Sequence, residues 1–216
     1  RRPPRYTLFP YTTLFRSFIH LVRRLAIGQQ IRADGPRKHL KKAGTPTMGG
    51  VIFLLAFVPA VVLFAPKNPD LYLAIFLMLG NGLIGLIDEY LKVVRKRSLG
   101  LKARSKLLGQ VVVVVLFYIG WQIFGTADTT LLVPFTSFTI DLGHLYLIFL
   151  LLFMLGFTNA VNLTDGVDGL AGGTAILVLL SYMLISVNQQ ALGLAQYSAA
   201  MIGAVFAFLV DRKSVV

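Results

Sequence analysis

The segment from Asn159 to Asp168 holds the densest group of side chains that could do chemistry. Asn162, Asp165 and Asp168 are spaced three residues apart, and residues at this spacing lie on one face of a helical turn. Their carboxylate and amide oxygens are ligands that Mg²⁺ prefers, and Asp168 is placed to cap a helix predicted to begin near Leu170. A plain turn does not need this density of polar groups, so the segment predicts a ligand or metal site.

Two adjacent carboxylates form a second candidate site. Asp88 and Glu89 end an otherwise apolar run, and Lys92 follows Asp88 at the i+4 position. On a solvated helix end this spacing gives an ordinary ion pair. At the end of a membrane helix the same carboxylates are suited to acid–base chemistry or to Mg²⁺. The residues alone leave both interpretations open.

A glycine- and lysine-rich segment, residues 39–50, precedes the first long apolar run. Its glycines predict an irregular backbone that a ligand can approach closely. Lys42 and Thr47 supply ammonium and hydroxyl donors suited to phosphate oxygens. The alternative is a basic loop attracted to anionic lipid headgroups, and this segment alone does not decide between the two. Taken with the carboxylates, it favours a site where cations and a metal offset phosphate charge.

Long apolar runs separate these polar segments. Of the 216 residues, 56% are hydrophobic and 14% are charged, against about 25% charged in a soluble domain. The absence of cysteine excludes a disulfide scaffold and a thiolate metal site. A membrane-spanning helix needs about 20 apolar residues, so we predict an all-α fold, a polytopic bundle of about six transmembrane helices. The predicted spans are residues 51–65, which is short, 71–87, 107–125, 145–161, 170–187 and 192–210.

The distribution of charge orients these spans. Lys and Arg number 21 against 9 Asp and Glu, and they concentrate in residues 32–42 and 92–106. In the connections predicted on the other side of the membrane, the only lysine or arginine is Lys67. By the positive-inside rule the basic side is cytoplasmic, which places all three polar segments on the cytoplasmic face. Because the basic residues flank spans, they indicate the lipid bilayer as a partner and no nucleic acid.

The two ends of the chain differ in character from the middle. Residues 1–17 have no sustained helical period and lack the apolar core of a signal peptide. They resemble translated sequencing-adapter read-through, and residues 211–216 give the same impression. We therefore expect a non-native or disordered arm, an incomplete transmembrane domain over residues 18–210 and a non-native tail, within a natural protein that is longer at both ends.

Residues 39–50, 88–92 and 159–171 resemble, in order, the signature segments of the polyprenyl-phosphate N-acetylhexosamine-1-phosphate transferases. Gly44-Thr-Pro-Thr-Met-Gly-Gly50 and Asn162-Leu-Thr-Asp-Gly166 are more similar to the phospho-N-acetylmuramoyl-pentapeptide transferase branch than to its relatives. This resemblance implies Mg²⁺-dependent transfer of phospho-N-acetylmuramoyl-pentapeptide from UDP to undecaprenyl phosphate, at the inner face of the bacterial cytoplasmic membrane. The products would be UMP and the first lipid-linked precursor of peptidoglycan, needed for cell wall biogenesis. A homodimer is one possible assembly.

The resemblance also implies roles for individual residues. Asp88 and Asp165 would be catalytic, and Asp165 would also bind the metal. Glu89 occupies the position of a second family aspartate, a departure that lengthens the side chain by a methylene, so its role as a metal ligand stays open. The substrate-binding residues implied are Lys42, Thr47, Lys92, Asn162 and Asp168.

The resemblance leaves the activity of the chain, the mechanism and the exact function as separate questions. The family carries a further essential aspartate and a histidine-rich loop beyond the matched segments, so we expect the chain alone to be inactive. Direct in-line attack by the lipid phosphate is favoured over a double displacement, although the sequence does not decide between them. A sibling transferase acting on UDP-N-acetylglucosamine is one alternative. A membrane transport module is another, disfavoured because no Asp, Glu, Lys or Arg lies in the middle of a predicted span.

Overall fold

Six α-helices make up most of the part of the chain that the computed structural model describes, residues 49–95, 100–124, 128–165 and 169–215. Five helices are long and apolar enough to cross a membrane, which confirms the predicted polytopic bundle. The remaining helix, Gly49–Phe64, has 16 residues. At 1.5 Å per residue it is about 24 Å long, shorter than the hydrocarbon core. The helices are α1 (Gly49–Phe64), α2 (Pro69–Val94), α3 (Ala103–Phe124), α4 (Tyr146–Thr164), α5 (Leu170–Asn188) and α6 (Leu192–Val215).

The connection between α3 and α4 contains a β-hairpin, which the all-α prediction missed. Strands β1 (Thr130–Leu132) and β2 (Thr139–Asp141) pair antiparallel, with Leu131 opposite Ile140. Threonine is frequent in this segment and two phenylalanines accompany it, and these residues favour strands. The hairpin is the one exception to the helical architecture in the described residues.

Glycines allow α2 and α3 to pack closely. A Cβ atom added at Gly80 would lie 2.8 Å from Val113 Cγ1, and one at Gly109 would lie 3.2 Å from Ile84. The higher-numbered residue of α2 therefore meets the lower-numbered residue of α3, so the two helices are antiparallel. Small residues at such contacts are typical of membrane helix pairs. As a result, α2 ends and α3 begins at the same end of the bundle.

Helix α4 returns antiparallel to α3. The rings of Trp121 and Tyr146 are 5.3 Å apart where α3 ends and α4 begins, and Gln110 contacts Asn159 further along both helices. Helix α5 begins close to where α6 ends, since a Cβ at Gly172 would lie 2.8 Å from Leu209. The end of the bundle where α2 and α4 finish and α3 begins is called the site end below.

The best-buried apolar cluster lies between α1 and α2. It contains a few residues from each helix and packs against α6, where the Tyr197 ring meets Phe57 edge-on at 5.0 Å. Most other large apolar side chains are exposed on the outside of the helices, as expected where lipid replaces a protein core. The cluster consists of Phe57, Val61, Ala65, Leu71 and Ile75.

Candidate functional site

Asp88 is held by two donors near the end of α2. Its Oδ2 atom lies 2.7 Å from the Lys92 ammonium, and its Oδ1 atom accepts a 2.7 Å hydrogen bond from the backbone N–H of Leu101. Lys92 also donates to Glu89 Oε1 at 3.0 Å. One ammonium group therefore bridges two carboxylates, and the chain before α3 folds back onto the first of them.

A glycine permits this fold-back. A Cβ atom at Gly100 would lie 2.6 Å from the Asp88 carbonyl oxygen and closer still to Oδ1. These atoms belong to the backbone and to a carboxylate that is already bonded to Leu101, so they cannot move aside without breaking that contact. Gly100 is thus required for the observed position of Asp88.

A cavity of about 820 Å³ lies at the site end, between α2, α3 and α4. Its size is that of a small-molecule or cofactor site. One part of the wall carries the carboxylate of Asp88 and the ammonium groups of Lys92 and Lys106. The charged side chains described in the wall therefore have a net positive charge. The other part is apolar. The remaining lining residues are Gly100, Leu101, Ala103, Leu107, Leu152, Leu155, Gly156 and Asn159.

The composition of this wall suits an amphipathic phosphate. Two ammonium groups can offset phosphate charge, and the leucines beside them offer a surface to an apolar chain. The lining residues come from three helices that are far apart in the sequence. The cavity therefore forms only when these helices pack together. Asp88 is the only carboxylate among its described lining residues.

The structure brings together some of the predicted site residues. Asp88 and Lys92 both line the cavity. Glu89 is not among the lining residues, and its carboxylate is instead bonded to Lys92. The structure therefore brings Asp88 and Lys92 together in one cavity and does not place Glu89 in its wall.

The predicted residues of α4 lie beyond the cavity. Asn162 and Asp165 are exposed at the end of the helix, where Asp165 is the capping residue. Asp165 is six residues past Asn159, about 9 Å along the helix axis at 1.5 Å per residue. Asp168, Lys42 and Thr47 lie outside the described residues.

The described residues contain no group of three or more His, Cys, Asp or Glu side chains close enough to hold a metal ion. Mg²⁺ in phosphate-transferring sites is commonly bound by only one or two carboxylates, completed by water and substrate phosphate. Asp88 supplies one such carboxylate to the cavity.

Sequence reasoning assigned no role to several residues that form the cavity. Lys106 was counted only as part of a basic segment, and Gly100 was not considered. Gln110 is a polar residue inside an apolar run, and it lies four residues after Lys106, on the same face of the helix. This position was the signal in the sequence that could have identified Gln110. The contact of Gln110 with Asn159 joins residues 49 positions apart, which no local pattern predicts.

Comparison with known proteins gives consistent matches. The sequence model described as "Glycosyl transferase family 4" matches residues 71–210. The model described as "Phospho-N-acetylmuramoyl-pentapeptide-transferase signature 1" matches residues 42–54. The second match falls on the glycine- and lysine-rich segment, and the first includes the whole described cavity.

Curated relatives are similar along most of the chain. The phospho-N-acetylmuramoyl-pentapeptide-transferase of Bacillus subtilis (strain 168) is 43% identical over 196 residues, covering 89% of this chain and 60% of that protein. The one from Geobacillus sp. (strain WCH70) is 44% identical over 197 residues, with the same coverage. The one from Caldanaerobacter subterraneus subsp. tengcongensis is 41% identical over 210 residues, covering 96% of this chain and 66% of that protein. The chain thus spans roughly three-fifths to two-thirds of the length of these relatives.

Proposed function

Because the chain is a multi-pass membrane protein that belongs to glycosyl transferase family 4, we propose that the whole protein is a phospho-N-acetylmuramoyl-pentapeptide transferase. It moves phospho-N-acetylmuramoyl-pentapeptide from UDP to undecaprenyl phosphate and releases UMP. The relatives that carry this name are about 60% covered by the chain, so the activity is proposed for the full-length protein.

One observation carries the proposal at the level of the site. Asp88, Lys92 and Lys106 line one cavity whose other described lining residues are mostly apolar. A lipid phosphate has the same division, since its head is an anion and its tail is apolar. The cavity lies at one end of spans long enough to cross a bilayer, so the head can meet a water-soluble nucleotide while the tail stays in lipid.

The proposed reaction is an in-line displacement. An oxygen of the lipid phosphate attacks the β-phosphorus of the UDP-sugar, and the bond from that phosphorus to the oxygen bridging the α-phosphate breaks. UMP leaves with the electron pair of that bond. Asp88 orients the lipid phosphate and accepts its proton when the phosphate is protonated. Each Asp88 oxygen has a second lone pair beyond its present bond, so the carboxylate can act without losing its position.

The neighbouring cations stabilise the charge that develops on the phosphates. Lys92 and Lys106 both line the cavity, and fixed positive charge near transferring phosphate is a major source of catalysis. Lys92 is already shared between Asp88 and Glu89, so it also keeps the two carboxylates from repelling each other. These roles extend the substrate-binding assignment of Lys92 to Lys106.

Mg²⁺ is the proposed cofactor. When bound, it would polarise the phosphate oxygens and offset their charge. Asp88 is the described candidate to contact it, with Asp165 assigned by the family resemblance. Glu89 is a weaker candidate because Lys92 holds its carboxylate outside the cavity wall.

The proposed setting is the cytoplasmic membrane of a bacterium, with the site end facing the cytoplasm. The basic segment before α3 supports this orientation, because lysine and arginine concentrate on the cytoplasmic side of membrane proteins. UDP-N-acetylmuramoyl-pentapeptide then approaches from the cytoplasm and undecaprenyl phosphate from the bilayer. A homodimer remains part of the proposal for its assembly.

UMP release by the full-length protein tests the proposal. The purified protein in detergent or nanodiscs receives undecaprenyl phosphate, Mg²⁺ and either UDP-N-acetylmuramoyl-pentapeptide or UDP-N-acetylglucosamine. We expect UMP only with the first nucleotide sugar. Release with UDP-N-acetylglucosamine alone would establish the sibling transferase instead, and release with neither would overturn the proposal. Chelation of Mg²⁺ by EDTA is expected to stop turnover, and re-addition to restore it.

A further inference from the structure

One polar contact crosses the interface between α3 and α4. The Asn159 Nδ2 atom donates to Gln110 Oε1 at 3.0 Å and to the backbone carbonyl oxygen of Leu155 at 2.8 Å. Gln110 is only 2% exposed. A buried amide in an apolar setting is costly unless it is hydrogen-bonded, so this contact fixes the pair of side chains relative to each other.

These contacts determine which way the Asn159 amide faces. A backbone carbonyl oxygen only accepts hydrogen bonds, so the side-chain atom next to Leu155 must be the nitrogen. The nitrogen is engaged with Leu155 and Gln110, and the amide oxygen has no protein partner among the residues that the structure describes. Asn159 also lines the cavity that contains Asp88.

From this geometry we infer that Gln110 is a positioning residue, which holds Asn159 so that its amide oxygen is presented to the cavity as a hydrogen-bond acceptor. The acceptor is suited to a hydroxyl or amide hydrogen of a bound nucleotide sugar, and this identification of the ligand rests on the proposed function. Without Gln110 the terminal amide torsion of Asn159 loses one of its two restraints. If the amide rotates, its N–H groups face the cavity instead. They are donors, so they repel the ligand hydrogen that the oxygen would have accepted.

The competing explanation is that Gln110 only joins two helices. Interhelical hydrogen bonds of this kind stabilise membrane proteins modestly, and such a role predicts a loss of stability without a specific loss of substrate binding. Positioning predicts a defect in substrate use that depends on Asn159. A double-mutant cycle measured on both stability and kinetics separates the two explanations.

The experiment compares four variants of the full-length protein, Gln110→Leu, Gln110→Glu, Asn159→Leu and the Gln110→Leu/Asn159→Leu double variant. We expect Gln110→Leu to lower kcat/KM for UDP-N-acetylmuramoyl-pentapeptide about tenfold, chiefly through KM, the size expected for one misplaced hydrogen bond. Gln110→Glu keeps an acceptor for Asn159 Nδ2 and should recover most of that loss. The double variant should be no worse than Asn159→Leu alone.

Ser198→Ala is the matched control, because Ser198 is a buried polar residue of α6 that does not line the cavity. We expect its kcat/KM to stay within twofold of wild type. Additive losses in the double variant, or coupling seen in Tm but not in kcat/KM, would overturn the inference.

A second readout does not depend on catalysis. In the isotopically labelled protein, the Asn159 side-chain NH₂ protons should exchange slowly with solvent in wild type and faster in Gln110→Leu, while exchange in Ser198→Ala is unchanged. If the wild type releases no UMP, the proposed function fails, and this exchange measurement still decides the orientation. Rapid exchange of these protons in wild type would overturn it.

Discussion

The Asp88 carboxylate accepts a 2.7 Å hydrogen bond from the backbone N–H of Leu101, thirteen residues along the chain. This bond ties the connection after α2 to the one carboxylate in the described cavity wall. Lys92, one turn further along α2, holds the other carboxylate oxygen. A side chain restrained at both oxygens has little rotational freedom, which is the property that a group aligning a phosphate requires.

Replacement of Asp88 by Asn tests its chemical role. The amide has nearly the same size but carries no charge and cannot accept a proton in the same way. We expect kcat of the full-length protein to fall by about 10²- to 10⁴-fold, the usual contribution of a positioned acid–base group. Asp70→Asn is the matched control, because Asp70 is a carboxylate in the first turn of α2 that does not line the cavity. UMP release at saturating substrates measures both variants, and an equal loss in the two would contradict the assignment.

Replacement of Gly100 by Ala tests the fold-back onto Asp88. The added Cβ would approach the carbonyl oxygen and the carboxylate of Asp88 too closely, so the Leu101 N–H or the carboxylate must shift. A displacement of about 1 Å can cost about 10²-fold in rate, and we expect a loss of that order in kcat with Tm changed by only a few degrees. Gly85→Ala is the control, since nothing lies within 4 Å of its added Cβ. Wild-type kcat in Gly100→Ala would show that this contact does not position Asp88.

The main features of the bundle could be predicted from apolar runs. A segment that crosses lipid must form its backbone hydrogen bonds internally, as a helix does, and its side chains are hydrophobic over a long stretch of sequence. The ends of the helices were harder to predict. Helix α2 continues to Val94, beyond the apolar span predicted to stop at residue 87, and Asp88 and Lys92 pair with each other within its last turns. Prediction from apolar content therefore stopped where the site begins.

The details of the site depend on contacts between distant segments. The bonds from Leu101 to Asp88 and from Asn159 to Gln110 form only when the helices pack, and the sequence provides no periodic signal for either. The hairpin was missed for a different reason. Its strands have three residues each, which is too short for an alternating pattern to distinguish them from an irregular loop.

The hairpin allows a prediction about pH. The Thr129 hydroxyl donates to Asp141 Oδ1 at 2.6 Å, and this bond, with a second from the Gly143 N–H, holds the pKa of Asp141 below its usual value. The ionised form is therefore favoured in the folded hairpin. The resulting stabilisation is present above the unfolded-state pKa of about 3.9 and is lost as pH falls through the lower folded-state pKa.

Thr129→Val removes the hydroxyl donor at nearly constant side-chain size. We expect the pKa of Asp141 to rise towards its usual value, measured by NMR titration of the Asp141 carboxyl carbon, and the hairpin to open at a higher pH than in wild type. Thr139→Val is the control, because Thr139 lies in β2 but no hydrogen bond of its hydroxyl is found among the described residues. A pKa of Asp141 that is the same in all three proteins would show that the Thr129 bond does not form in solution.

The close approach of α2 and α3 can be tested at Gly80. An added methyl group would lie 2.8 Å from Val113 Cγ1, so Gly80→Ala must push the helices apart despite the higher helix propensity of alanine. We expect Tm to fall, with destabilisation of about 1–3 kcal/mol as for other overpacked sites. Val113→Ala removes the opposing methyl groups, so the Gly80→Ala/Val113→Ala double variant should be more stable than the sum of the single effects predicts. Gly203→Ala, with nothing within 4 Å of its added Cβ, should show no loss of Tm, and strict additivity at Gly80 and Val113 would mean that α2 and α3 do not touch there.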